Sequence, residues 1–512
     1  MAYQDKNSSP PPHSFFARTR LLALAIFLAL FALGAGLRLL NLTNPPLDFH
    51  AWRQLRAASI ARGMYYDLLP TADLQVRAKA HQLGNSFEIL EPRIFERIVA
   101  QIYLFLGGER LWVARLLAIC YWMVGAIGIF LLARRLTSTD GAIVSMAFYL
   151  LLPYGVTASR SFQPDPFMVM WIILAVYSLY RWSEEHTWLW TVLAGIFSGL
   201  AVLIKVFAAY PVVVVAIILV LASWGLKRAL LDPQVWACAA IMALIPALYY
   251  IFTVGGLAQG YISSWVTGFA GLLRQPRFYV LWLDMVGRIM DYSVFALGFA
   301  SIFLFQGKGR ALAAGLWIGY LLMGMSVPSL IITHDYYNLS LIPIVAISLA
   351  PLGQLFFSRL AQQARLWQFL AISALLIGVG YPTWIARNSI VAFNYRPEIL
   401  GWEKMGKELP RDGAIIGITH DYGARLNYYG WIFVTPWPYT IDQEMHALVG
   451  GNTNMKDPAW KEIFLEKTKG YKYFLVDNYG ELDTQPVLKE VLSHYPSRQG
   501  SGYTLYYLTQ TK

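Results

Sequence analysis

Residues 21–37 read LLALAIFLALFALGAGL, an unbroken apolar run with no charge in it. At about 1.5 Å per residue a helix of this length crosses most of a roughly 30 Å hydrocarbon core, and only a helix hides its own backbone polar groups there. A secretory signal peptide is the rival reading, but the run is long for one and no clear small-residue cleavage site follows it. Similar runs recur near 111–133, 140–158, 166–182, 188–204, 206–224, 235–253, 291–306, 311–328, 338–357 and 366–385. The fold class this implies is an all-α polytopic membrane domain of about eleven transmembrane helices.

Composition agrees. Of 512 residues, 57% are apolar and 14% charged, whereas soluble domains carry roughly a quarter charged residues. The net charge of +11 is spread over short loops and forms no basic stripe interleaved with aromatics, so nucleic acid is not an expected partner. With the N-terminus inside, the expected inner loops carry Arg134 and Arg135, Arg181, Lys227 and Arg228, Lys308 and Arg310, and Arg359 and Arg365, which is the positive-inside pattern. Cys120 and Cys238 both fall in apolar segments and imply neither a disulfide framework nor a metal site.

Three regions follow. Residues 1–20, with Pro10–Pro12, read as a disordered cytoplasmic tail. Residues 21–387 form the membrane domain, with the long first outer loop (41–110) carrying interfacial helices. Residues 388–512 contain no spanning segment and mix short β-rich runs (414–418, 473–476, 503–508) with helical stretches near 458–468 and 485–493, which predicts a small extracytoplasmic α/β domain. The expected location is the cell (inner) membrane, and the sequence leaves oligomeric state open.

Polar residues gather at the outer ends of the spans instead of within them, where a lipid headgroup lies. The first group, Asp48, His50, Arg53 and Gln54, follows the first span; Asp48 could merely cap the next helix. Glu91-Pro92 precedes a helical stretch. Arg160 and Gln163-Pro164-Asp165 lie between two spans, where Asp165 before Pro166 reads well as an N-cap. Lys205 ends an apolar run and could snorkel. His334-Asp335-Tyr336-Tyr337 occupies a short outer loop. Metal-ligand spacings and phosphate-binding glycine loops are missing from the sequence; a chance meeting of His50, Glu91 and His334 is the one metal reading left, so no cofactor is expected and a divalent ion is not indicated.

In their order and shared outer placement, these fragments over roughly residues 20–390 resemble the GT-C superfamily of membrane glycosyltransferases, specifically the protein O-mannosyltransferase and aminoarabinose transferase family. One departure is that Phe49 follows Asp48 where many protein mannosyltransferases carry Asp-Glu, which speaks against protein O-mannosylation in particular. The resemblance implies a hexosyl- or pentosyltransferase that moves a sugar from a polyprenyl-phosphate donor to an extracytoplasmic acceptor hydroxyl of a glycan, lipid or protein, with inversion. It implies Asp48 as general base; Glu91 and Asp165 would position acceptor or sugar; Arg53, Arg160 and Lys205 would meet the phosphate; His50, His334 and Tyr337 would line the substrate groove. All would converge in one water-accessible pocket. The rival classes are a lipid-linked sugar flippase or other transporter, and an oligosaccharide polymerase or ligase.

Overall fold

The computed structural model describes residues 14–16, 19–87, 91–254, 267–447 and 454–509. Each of the eleven apolar runs falls on helix. Among the described residues, six helices are long and apolar enough to cross a membrane: Arg20–Leu39, Trp112–Leu136, Val206–Leu231, Pro233–Phe252, Asp335–Leu360 and the apolar part of Arg365–Glu408. A seventh crossing results if Pro276–Ile289 and Tyr292–Leu304, bent by 101°, act as one span. Thr139–Leu151 and Trp188–Ile204 are apolar but shorter. Large side chains such as Leu24, Leu28, Ile217, Leu244, Phe369 and Ile377 point outward, as lipid-facing positions require.

The chain divides into two compact units. The first comprises Met1–Asn41, Leu116–Arg160 and Pro164–Ala392. Here small residues set the helix spacing. Gly195 and Gly199 let the Trp188–Ile204 helix lie against Ile241 and Ile245, where a Cβ would come within 2.8 and 2.9 Å of their side chains. Gly315 and Gly319 do the same for Gly307–Ser326 against Val215 and Pro211, at 3.0 and 2.6 Å. With lipid as apolar as leucine, such close backbone packing is what drives helices together. At the start of Thr139–Leu151, the Asp140 carboxylate accepts from Ser14 Oγ and the Phe15 and Phe16 amides at 2.7, 2.7 and 2.8 Å. The Phe15 and Phe16 rings pack on Phe357. Residues 1–13 and 17–18 of the expected tail lie outside the described residues.

The second unit comprises Leu42–Arg115, Ser161–Gln163 and Phe393–Lys512. Its first part holds helices Ala51–Leu68, Leu74–Asn85 and Ile94–Leu106. Its last part is built on a five-stranded sheet of order β2-β1-β3-β5-β4: β1 (Ile415–Ile418), β2 (Thr435–Pro436), β3 (Tyr473–Val476), β4 (Ser497–Gly500) and β5 (Tyr503–Tyr507). β1 is parallel to β2 and β3, with Ile418 opposite Val476; β5 runs antiparallel to β3 and β4. Because side chains alternate along a strand, Ile416, Ile418, Phe474 and Val476 share one face and bury against Trp460, Phe464, Leu488 and Leu492. The two parts of this unit are joined through Arg62: its Nη1 donates to the Tyr428 carbonyl at 2.5 Å and its guanidinium lies over the Tyr428 and Trp431 rings.

Candidate functional site

In the second unit, Asp48 sits just before the Ala51–Leu68 helix, whose N-cap is His50 in a left-handed conformation (φ 45°) with no side-chain cap. Asp48 therefore does not cap it. Its carboxylate instead takes a two-pronged bond from Arg115, Nη1 to Oδ2 at 2.8 Å and Nη2 to Oδ1 at 2.7 Å. Gln54 Nε2 adds a bond to Oδ1 at 3.3 Å, while its Oε1 accepts from the Phe162 amide at 3.0 Å. The Arg115 side chain is 1% exposed and that of Asp48 18%, so the pair is largely withdrawn from water but the carboxylate edge is reachable. Planar guanidinium against carboxylate fixes orientation as no single hydrogen bond can.

One turn on, Arg53 pairs with Glu91 at 3.2 Å, and Arg56 approaches the other Glu91 oxygen at 3.9 Å. Arg53 and Glu91, assigned separate roles from sequence, are thus partners. Glu96 lies buried beside this group; burial pushes its carboxyl above the ordinary value, and the Arg56 charge opposes the shift. His50 is exposed, with its ring edge-on to Phe49.

In the first unit, Asp165 is the first residue of the Asp165–Glu185 helix and Pro164 is the N-cap, with no side-chain cap bond. The N-cap reading of Asp165 is corrected accordingly: its carboxylate accepts from Lys205 Nζ at 2.8 Å. Both side chains are only 2% exposed, so Lys205 does not snorkel. It stands in extended backbone (φ −157°) where the Trp188–Ile204 helix breaks before the next one, which frees its side chain to turn inward. The ammonium lies 4.3 Å from the Tyr337 ring centre and 5.1 Å from that of Tyr336, a cation–π arrangement strengthened by the dry setting. Asp165, Lys205, Phe207, Tyr336 and Tyr337 line a cavity of about 10 Å³, roughly one water. The His334 ring is 5.2 Å from Tyr336 and 6.1 Å from Tyr337, and its Nδ1 is 2.6 Å from Thr333 Oγ1. So Asp165, Lys205, His334 and Tyr337 form one cluster. Arg160, buried, reaches the Asn41 carbonyl through Nη2 at 3.1 Å.

Two arginines were missed because they lie within an apolar run or directly at its end. Arg115 is one. The other is Arg38, fully buried at the end of the first helix. Its Nε donates to Ser159 Oγ at 2.7 Å and its Nη1 to the Gly34 and Leu150 carbonyls at 2.8 Å each; Nη2 has no partner among the described residues. Every acceptor is neutral. A buried cation so placed is an unusual expense, and an ionisable residue in a span was the signal that could have found it.

The described residues thus form a polytopic helical membrane protein with a small terminal α/β part, the fold of the GT-C membrane glycosyltransferases. The family model of dolichyl-phosphate-mannose-protein mannosyltransferase matches residues 95–251. ArnT from Cupriavidus metallidurans in the apo state is similar over 95% of this chain and 97% of its own, with a TM-score of 0.57 and 14% identity. A structure of the same ArnT bound to undecaprenyl phosphate gives 0.53 at 14% identity over the same shares. The archaeal oligosaccharyltransferase AglB from Archaeoglobus fulgidus, in complex with an inhibitory peptide and a dolichol-phosphate, gives 0.58 at 13% identity over 95% of this chain and 74% of its own. No curated protein matches in sequence. At these identities the likeness is one of fold.

Proposed function

We propose that this protein is an integral-membrane glycosyltransferase that moves a sugar from a polyprenyl-phosphate donor to an acceptor hydroxyl on the outer face of the cell membrane. The observation that carries the reading is the near end-to-end likeness to ArnT, a protein solved with undecaprenyl phosphate bound. Buried cations in the first unit support it, since a lipid phosphate is an anion that must be met at a dry interface.

In the proposed reaction the acceptor oxygen attacks the anomeric carbon, the bond from that carbon to the phosphate oxygen breaks, and the lipid phosphate leaves with the bonding pair. The acceptor proton goes to Asp48, held by Arg115 and Gln54 in one orientation; such proton transfer is worth about 10²–10⁴-fold in rate. Negative charge grows on the departing phosphate, and Lys205, aimed by Asp165, with Arg160 and Arg38, would stabilise it most at that stage. In the first unit the aromatic edge of His334, Tyr336 and Tyr337 beside Lys205 would line the donor groove, and in the second unit Arg53 is set by Glu91. The N-terminus is cytoplasmic and the α/β part outside in this proposal, as the Lys/Arg pattern supports.

The test is mass spectrometry of lipid-linked sugars and envelope glycans in cells lacking the protein. A polyprenyl-phosphate sugar should accumulate beside a glycan or lipid short by one residue. Unchanged donor and glycans sink the proposal; a labelled lipid that crosses the bilayer with no new glycosidic bond makes the protein a flippase, and transfer of whole repeat blocks makes it a polymerase.

A further inference from the structure

The Thr419-His420-Asp421-Tyr422 run lies at the carboxyl end of β1, apart from the residues assigned above. β1 is the switch point of its sheet: the chain leaves it toward β2 on one side, then returns to place β3 on the other, both parallel to it. Connections leaving β1 and β3 therefore part, and the crevice at their carboxyl ends is where open parallel sheets hold ligands.

The groups there are arranged for hydrogen bonding. Asp477, first residue after β3, accepts at Oδ1 from the His420 amide at 2.7 Å and lies 2.8 Å from His420 Nδ1. The Asp477 side chain is 1% exposed and that of His420 43%, so a buried carboxylate orients an imidazole whose other nitrogen opens outward. With the proton on Nδ1, Nε2 presents a lone pair. Asp477 Oδ2 and Thr419 Oγ1 are buried without a partner among the described residues. Asp421 and Tyr422 both adopt left-handed backbone (φ 50° and 53°), a conformation that costs non-glycine residues about 1–2 kcal/mol each. Tyr422 remains half-buried, edge-on to Trp52 at 6.4 Å and against Tyr439 at 4.1 Å, and donates to Asp442. Trp402 lies 5.7 Å from the His420 ring.

The geometry points to this crevice as a saccharide-binding site, in which His420 Nε2 and the Asp421 and Asp442 carboxylates accept from sugar hydroxyls while Tyr422 and Trp52 take a C–H face. Charge excludes anions: the acceptors are carboxylates, and the nearby cation Arg425 is already held by Asp421 and Glu398 at 2.5 and 2.7 Å. Lone pairs beside aromatic rings suit a neutral, hydroxyl-rich ligand. That this ligand is the sugar part of the acceptor rests on the transferase reading; that a sugar binds does not.

The experiment uses the full-length protein in lipid nanodiscs with diazirine derivatives of mannose, glucose, galactose and N-acetylglucosamine, and a diazirine alkylamine as control. At least one sugar probe should label peptides carrying residues 419–422 or 439–442, be displaced by the free sugar, and fall tenfold or more in His420→Ala and Asp477→Asn. Tyr422→Ala, which leaves the His420–Asp477 pair intact, serves if those variants unfold, and should cut labelling at least fivefold; His420→Gln, which keeps a hydrogen-bonding group, should label more than His420→Ala. Labelling that ignores all these variants, is scattered over the surface, or is equalled by the amine overturns the site. Labelling needs no donor and no turnover, so its failure in a protein that transfers sugar sinks only the site, and labelling of a protein that transfers none sinks only the transferase reading. If both hold, His420→Ala should raise the acceptor KM about tenfold with kcat within twofold.

Discussion

Replacing Asp48 by Asn changes little volume but removes the charge that Arg115 faces with both prongs. Arg115 is nearly fully buried, and apart from Asp48 its acceptor among the described residues is the Pro45 carbonyl, neutral, 3.1 Å from Nη2. Removing one partner of a fully buried ion pair costs about 3–5 kcal/mol; Asp48 keeps some contact with water, so about 2–4 kcal/mol of stability should be lost. Activity should fall about a hundredfold or more if Asp48 takes the acceptor proton. Either effect alone would dim an activity assay, so the double variant Asp48→Asn/Arg115→Met decides between them. With no charge left unpaired it should recover most of the lost stability. The assays are thermal unfolding in detergent and turnover with a polyprenyl-phosphate sugar, run well below the lowest midpoint. A base must stay lost: the double variant should remain about a hundredfold slow although stable. Turnover within fivefold of the parent in the double variant would falsify the base assignment and leave Asp48–Arg115 a structural clasp.

Lys205→Met takes the ammonium away from the buried Asp165 carboxylate and should cost about 3–5 kcal/mol, with Lys205→Met/Asp165→Leu regaining most of it yet binding undecaprenyl phosphate at least tenfold more weakly; equal lipid binding by the double variant removes Lys205 from the phosphate site. Arg38→Met, which deletes a cation that has only neutral acceptors, should leave thermal stability unchanged or raised while the stabilisation by undecaprenyl phosphate, about 2.7 kcal/mol at a hundredfold excess over Kd, shrinks; a full ligand shift in the variant argues against Arg38 as an anion ligand. Glu96 and Asp442 both have carboxyls raised chiefly by burial. A raised folded pKa means the folded state holds its proton longer, so this contribution is whole below the unfolded pKa and is lost as pH climbs through the folded one. Glu96→Gln should therefore flatten the decline of stability across that window and be relatively more stable at neutral pH; an unaltered pH profile contradicts the buried-acid account.

Much of the fold was legible because lipid imposes a simple rule, long apolar helices: all eleven runs fall on helix, and six of the described helices are long and apolar enough to cross a membrane. The β runs 414–418, 473–476 and 503–508 were readable for a like reason, being apolar and half or fully buried. β2 escaped because it is two residues long and ends in Pro436, and β4 because Ser497–Gly500 is an exposed, polar edge. At the site, residue types were legible but partners were not. Asp165 looked like a cap since capping is a local preference, whereas Lys205, its partner, lies 40 positions away. Arg38 and Arg115 were absorbed into hydropathy averages in which one charge among many leucines and alanines is diluted. Nor could any local pattern join residues 42–110 to the chain's last hundred residues, a link made by Arg62 over Tyr428 and Trp431.

The clasp of Ser14–Phe16 on Asp140 and Phe357 has a bearing on biogenesis. Its polar half can form once Asp140 is made, but the aromatic half cannot close until the ribosome has delivered Phe357. Nascent chains stalled before that point should leave Phe15 and Phe16 open to protease, and stalled after it should shield them. The beginning of this polypeptide is therefore among the last of its membrane parts to find its place.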